Sequence, residues 1–276
     1  MTIGTPTSIT RAGLVFDVYE AGPADGEPVV LLHGFPQFSD SWDALVPLLH
    51  EAGYRTVTMD QRGYSPGARP SGRRAYVVSE LVADAAALVD HVGGPVHVVG
   101  HDWGAVVAWG LAAAHPEKVR TLTALSVPHP QAFLTSFVTS LQALKSWYMF
   151  AFQLPAVPER LLTAERAAQA LVRSGQSPER ARRDATRLAG AALTGPLNWY
   201  RAMPFLDPRT ARVPVRVPTL LVWSDGDVAI GRASVDRSAR YVQGPYRMEV
   251  LHGVSHWIPD EAPAEVAALL LPHLKQ

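Results

Sequence analysis

Three residues in this chain could together make and then break a bond to carbon. Asp102 lies in the run Gly100-His101-Asp102-Trp103-Gly104-Ala105, directly after an expected strand and at the start of an expected helix, among small residues that let the backbone turn sharply. A carboxylate so displayed can attack a saturated carbon and leave an ester, whose carbonyl carbon activated water can then attack to restore the acid. A hydroxyl in its place would leave an ether that water does not readily cleave. The spacing therefore points to displacement at saturated carbon and away from ester or peptide hydrolysis, which would use Ser or Cys at this turn. The competing reading is that Asp102 merely caps the helix it precedes.

The activated water needs a base. His256, in Gly253-Val254-Ser255-His256-Trp257 just beyond the last expected strand, is the best placed of the ten histidines. His252 is its nearest rival, but it lies closer to the strand end and reads as structural. A metal site on His252 and His256 is disfavoured by the intervening glycine and the missing third ligand. An acid to orient the base is offered by Ser224-Asp225-Gly226-Asp227. Asp227 is favoured because Asp225 more naturally caps a turn; both remain open.

These side chains need a rigid frame. Short, nearly continuous apolar runs at 28–32, 55–59, 96–99, 122–125, 219–223 and 247–251 read as strands buried on both faces. Helical patterns at 42–51, 79–92, 105–114 and 264–271 alternate with them, which predicts an α/β fold with a mostly parallel central sheet. After Ser126 the alternation stops for about 85 residues. We expect a core of 1–128 and 214–276 with an inserted helical cap, or lid, at 129–213. Within the cap, 164–174 and 178–192 read as helices. Trp147, Tyr148, Phe150, Phe152, Trp199 and Tyr200 would suit a pocket ceiling or the cap's own core. Arg180, Arg182, Arg183 and Arg187 read as a solvated face, and Asp60 and Arg62 as supports of their loop.

Composition narrows the partners. Lys plus Arg and Asp plus Glu number 25 each among 276 residues, so no large single-sign field is available to hold a nucleic acid or an anionic membrane. A small neutral substrate fits better. The absence of cysteine removes disulfides and thiolate chemistry. The longest apolar stretch, 105–114, is shorter than the roughly 20 residues a membrane span requires. The opening MTIGTPTSIT lacks a charged segment followed by an apolar run, so a cytoplasmic protein without a membrane span is expected. No cofactor and no metal are expected, and the oligomeric state is not legible.

From HGFP at 33–36 through GHDWGA at 100–105 to GVSHW at 253–257, the chain resembles the epoxide hydrolases of the α/β-hydrolase fold along nearly its whole length. The resemblance implies a nucleophile at Asp102, an orienting acid at Asp227 and a base at His256, in that chain order. It implies an oxyanion hole made by the backbone N–H groups of Phe35 and Trp103. It also aligns Tyr148, in WYMFAFQLP, and Tyr200, in GPLNWYRA, with two cap tyrosines that hydrogen-bond the epoxide oxygen. A phenol of pKa about 10 can donate that bond at neutral pH. The implied partners are an epoxide and water, and the implied product is a vicinal diol.

Two neighbouring families share an aspartate nucleophile. Haloalkane dehalogenases are the main alternative: Trp103 could supply an N–H to a halide, but Phe35 replaces the Asn several of them carry, and the tyrosines would be unexplained. Fluoroacetate dehalogenases resemble this chain at HGFPQ, yet they place arginines where Trp103 and Val106 stand. A further alternative is a ligand-binding member of the fold without turnover. Diol formation, against tight binding of unhydrolysed ligand, separates the two classes.

Overall fold

The computed structural model describes residues 4–276. Residues 1–3, part of the opening read above for a targeting signal, lie outside the described residues. Eight strands, β1 (Thr5–Arg11), β2 (Leu14–Ala21), β3 (Pro28–Leu32), β4 (Arg55–Met59), β5 (Val96–His101), β6 (Val119–Leu125), β7 (Thr219–Ser224) and β8 (Tyr246–Leu251), form one sheet among the described residues. Their order is β1-β2-β4-β3-β5-β6-β7-β8. The β1–β2 and β2–β4 pairs are antiparallel, and the pairs from β4 to β8 are parallel. Leu32 lies opposite Gly100 and Leu125 opposite His101. This register brings the ends of β3, β5 and β6 level.

The parallel strands read as continuous apolar runs because both of their faces are buried. Val30 and Leu32 enter one core with Val96, Val98, Leu122 and Ala124. Val29, Leu31, Val99 and Leu125, pointing the other way, enter a second. On the first face lie α2 (Val78–Val92) and α3 (Trp103–Ala114); on the second, α1 (Val46–Glu51) and α13 (Pro263–His273). The expected helix at 42–51 is two pieces, a 3₁₀ turn at Ser39–Trp42 and then α1.

Sequence reading missed the β1–β2 hairpin. It is a sheet edge: of β1 only Ile9 is buried, and of β2 only Phe16 and Val18, so no apolar run marks it. Its turn, Ala12-Gly13, has both residues at positive φ, the geometry of a tight hairpin.

Between β6 and β7 the chain folds into α4 (Pro130–Thr139), α5 (Gln142–Lys145), α6 (Trp147–Ala151), α7 (Val157–Leu161), α8 (Ala164–Arg173), α9 (Pro178–Arg187) and α10 (Thr194–Arg201). The short α11 (Arg232–Asp236) and α12 (Ile258–Glu261) follow β7 and β8. No helix among the described residues is long and apolar enough to cross a membrane.

The arginines of α9 are not a solvated face. Arg180 pairs with the buried Asp260 at 2.5 Å, and Asp260 also accepts from Gln37. Arg183 and Arg187 both reach Asp40, at 3.2 and 2.9 Å, and the Arg187 guanidinium lies 3.6 Å over the Phe38 ring. Arg182 alone of the four is exposed without such a partner. This helix therefore latches the inserted segment to the loop after β3 and to α12. Two of the aromatics, Trp147 and Phe150, form neither ceiling nor core, since they are 67% and 60% exposed.

Candidate active site

Asp102, Asp227 and His256 follow the C-terminal ends of the parallel strands β5, β7 and β8, where ligands bind in open α/β sheets. Asp102 follows β5 and precedes α3 with φ 51° and ψ −122°, a conformation that a non-glycine residue adopts at some energetic cost and that clusters at functional sites. The turn is possible because Gly104 has no side chain: a Cβ there would run into the backbone carbonyl of Leu32. Gly34 lies against Asp102 in the same way, and a Cβ on it would strike the aspartate side chain.

The carboxylate is held at both oxygens. Phe35 N–H donates to Asp102 Oδ1 at 2.8 Å, and the Trp103 N–H lies near enough to the carboxylate to help lower its pKa. The Oδ2 atom lies 3.5 Å from His256 Nε2. His256 Nδ1–H donates to Asp227 Oδ2 at 2.7 Å, and Asp227 Oδ1 accepts from the N–H groups of Ala229 and Ile230 at 2.7 and 2.9 Å. Each aspartate of the 224–227 turn takes its own histidine: Asp225 Oδ2 accepts from the exposed His252 at 2.7 Å. That geometry removes Asp225 and His252 from the cluster around Asp102.

Burial alone would drive His256 toward neutrality, but the charge of Asp227 and the hydrogen bonds to Asp102 and Asp227 prevail and raise its pKa to about 10. Burial pushes Asp102 up; the hydrogen bond and charge of His256 bring it below the ordinary carboxylate value. The resting site is thus an imidazolium between two carboxylates.

Tyr148 on α6 and Tyr200 on α10 meet above this cluster with ring centroids 6.1 Å apart. Tyr200 also packs edge-on against Trp103 and Phe35, at 5.2 and 5.4 Å. Burial, and after it the Asp102 charge, raises both phenols well above their usual value, so both keep their protons and remain donors. The α10 helix is fixed from several sides: Trp199 Nε1–H donates to Arg62 O at 2.8 Å, and Arg201 pairs with Glu159. Arg62 is in turn bound to Asp84 at 2.6 and 2.8 Å.

Four site residues escaped sequence reading. His101 Nε2–H and Ser126 Oγ–H both donate to the His256 carbonyl, at 2.9 and 3.0 Å. Burial, then the His256 charge, lowers His101 to about 4, so it is neutral, with Nδ1 buried and unpaired. From α5, Lys145 donates to Asp227 O at 2.8 Å, and Gln142 bridges Ala229 O and the Gly231 N–H at 2.7 and 2.8 Å. His101 sits in the GHDWGA motif and could have been flagged there. No spacing rule connects the others to partners so distant in sequence.

Comparison with known proteins extends this geometry. The family model described as alpha/beta hydrolase fold matches residues 27–263. Epoxide hydrolase A of Mycobacterium tuberculosis (strain ATCC 25618 / H37Rv) is 32% identical over 99% of this chain and 98% of that protein. AB hydrolase superfamily protein YfhM of Bacillus subtilis (strain 168) is 36% identical over 97% of this chain and 96% of its own. Among solved structures, epoxide hydrolase A from Mycobacterium thermoresistibile superposes with a TM-score of 0.84 at 27% identity, covering 98% of both chains.

Proposed function

The chain belongs to the α/β-hydrolase fold family and, within it, to the epoxide hydrolases, and from that premise we propose that it converts an epoxide to a vicinal diol through a covalent Asp102 ester. The observation that carries the reading is the placement of a carboxylate, rather than a hydroxyl, on the Phe35 N–H and within ion-pair distance of His256.

Asp102 Oδ1 is already engaged by the Phe35 N–H, so Oδ2 is the attacking atom. As Oδ2 bonds to the ring carbon, the carbon–oxygen bond breaks and the oxygen takes a proton from Tyr148 or Tyr200. Alkylation then removes the negative charge that helped hold the His256 proton. The His256 proton returns to the tyrosinate just formed, and the now neutral imidazole, oriented by Asp227, draws a proton from water attacking the ester carbonyl carbon. The developing oxyanion is Oδ1, which accepts from the Phe35 N–H from the start, with the Trp103 N–H near the carboxylate. Such preorganised donors are each worth about 2.7 to 4 kcal/mol to the transition state. Collapse expels an alkoxide that takes the proton left on the Asp102 carboxyl, so the diol departs, Asp102 is again a carboxylate and His256 is again protonated.

A panel of aliphatic and aromatic epoxides assayed for diol, with haloalkanes assayed for halide, tests the reading. Diol is expected. Halide release without diol would assign the site to dehalogenation, and tight binding of unchanged epoxide would assign it to a non-catalytic member of the fold.

A further inference from the structure

A cavity of about 320 Å³ begins at Asp102 and Tyr148 and runs outward over α3. Trp103, Val106, Gly110, Ala113 and Ala114 form its floor, a spacing of three to four residues that keeps one face of the helix toward the cavity. At 1.5 Å rise per residue this floor is about 16 Å long. Its walls are almost wholly hydrocarbon, with Val82 on α2, Phe133 and Leu134 on α4, Met149 on α6 and Met203 after α10. The far end is open, because Ala114 and Thr210, which line it, are exposed.

On the other flank of the nucleophile three aromatic rings pack together. In the sheet, β3 and β6 lie on opposite sides of β5. The cavity is lined by Val127 and Pro128 after β6. From the loop after β3, Phe35 packs edge-on against Phe152 and Tyr200 at 5.7 and 5.4 Å, and those two rings lie 5.0 Å apart. Neither Phe35 nor Phe152 lines the cavity.

We infer that the preferred substrates are terminal epoxides, oxiranes bearing a single long apolar chain that lies along α3 toward Ala114. The inference rests on the epoxide hydrolase reading. A chain on one ring carbon follows the open groove, whereas a second chain on the other carbon meets the Phe35–Phe152–Tyr200 cluster. The open end implies no upper limit on chain length, only a point beyond which added methylenes reach water and contribute nothing.

The test is kcat/KM for diol formation along the 1,2-epoxyalkanes from epoxypropane to epoxydodecane, beside mid-chain dialkyl oxiranes of the same carbon number. Each methylene within the groove should raise kcat/KM about fourfold, followed by a plateau. The mid-chain isomers should be at least about tenfold slower. Val106→Phe, one turn from the nucleophile, should collapse the ratio of long-chain to short-chain kcat/KM; Ala113→Leu, near the mouth, should bring the plateau at a shorter chain. Circular dichroism checks that each variant is folded, and the isomer comparison in the parent enzyme decides if either is not. A flat chain-length series, or equal turnover of the mid-chain isomers, overturns the inference while epoxide hydrolysis stands. Diol from none of the epoxides overturns both.

Discussion

In the free enzyme the proton on His256 is held by the carboxylates on either side of it, and the proposed mechanism needs that proton to leave at the right moment. Neutralising Asp102 should supply the moment. In Asp102→Asn, which mimics the uncharged ester, nitrogen-detected NMR titration should show His256 falling from about 10 toward the ordinary histidine value near 6.5. An unmoved titration would mean that Asp227 alone sets the proton affinity. The same shift fixes a sign for stability. A histidine whose folded pKa is raised contributes stability that is complete below its unfolded pKa of about 6.5 and is lost as pH rises through the folded value. Thermal unfolding of the parent should therefore weaken between those limits, and His256→Gln should flatten that slope. That variant should also still be alkylated, so intact-protein mass spectrometry should find the substrate mass retained. In the proposed mechanism the tyrosines act in the earlier step. Tyr148→Phe and Tyr200→Phe should each slow adduct formation, and the double change should lower it by roughly a hundred- to ten-thousand-fold. Stopped-flow tryptophan fluorescence would show an unaffected alkylation rate if neither phenol donates.

Helix α5 is only four residues long, yet it ties the inserted segment to the loop that carries the orienting acid. Gln142 closes two backbone bonds of that loop, and Lys145 caps the carbonyl of Asp227 itself. Gln142→Ala would leave the Gly231 N–H and the Ala229 carbonyl without these partners, a loss of about 1 to 3 kcal/mol for each group left unsatisfied. The melting temperature should drop, and decay of the ester should slow more than its formation, because Asp227 serves His256 in the second step. Equal slowing of both steps would show that α5 supports the fold without orienting the acid. Ties of this kind were not legible in the sequence. Parallel strands announce themselves because burial on both faces demands continuous apolar runs, and the elbow announces itself because the sharp turn demands glycines. Gln142, Lys145 and the arginines of α9 carry ordinary polar side chains whose partners lie far along the chain. Their pattern alone is that of a solvated surface.

At the scale of the whole molecule, the sheet brings residues 35, 102, 227 and 256 to one edge, and the segment between β6 and β7 lowers two tyrosines onto them. The positions of Asp102, His256 and Asp227 could be read from the strands they follow. Position in the turn favours Asp227 over Asp225, and three-dimensional pairing gives each its own histidine, Asp227 with His256 and Asp225 with His252. The sequence also gave no sign of the β1–β2 edge or of the one-sided groove over α3, because half-exposed strands and helix faces lining a cavity share the composition of ordinary surface and core.

The central claim is that Asp102 itself donates an oxygen to the product. A single turnover with enzyme in excess over an epoxide, run in water enriched in heavy oxygen, tests it directly. The first diol should carry no solvent oxygen, and the label should appear in the peptide containing Asp102, because water attacks the ester carbonyl carbon and not the substrate. Solvent label in all of the first-turnover diol, with none in that peptide, would contradict the account and assign ring opening to water.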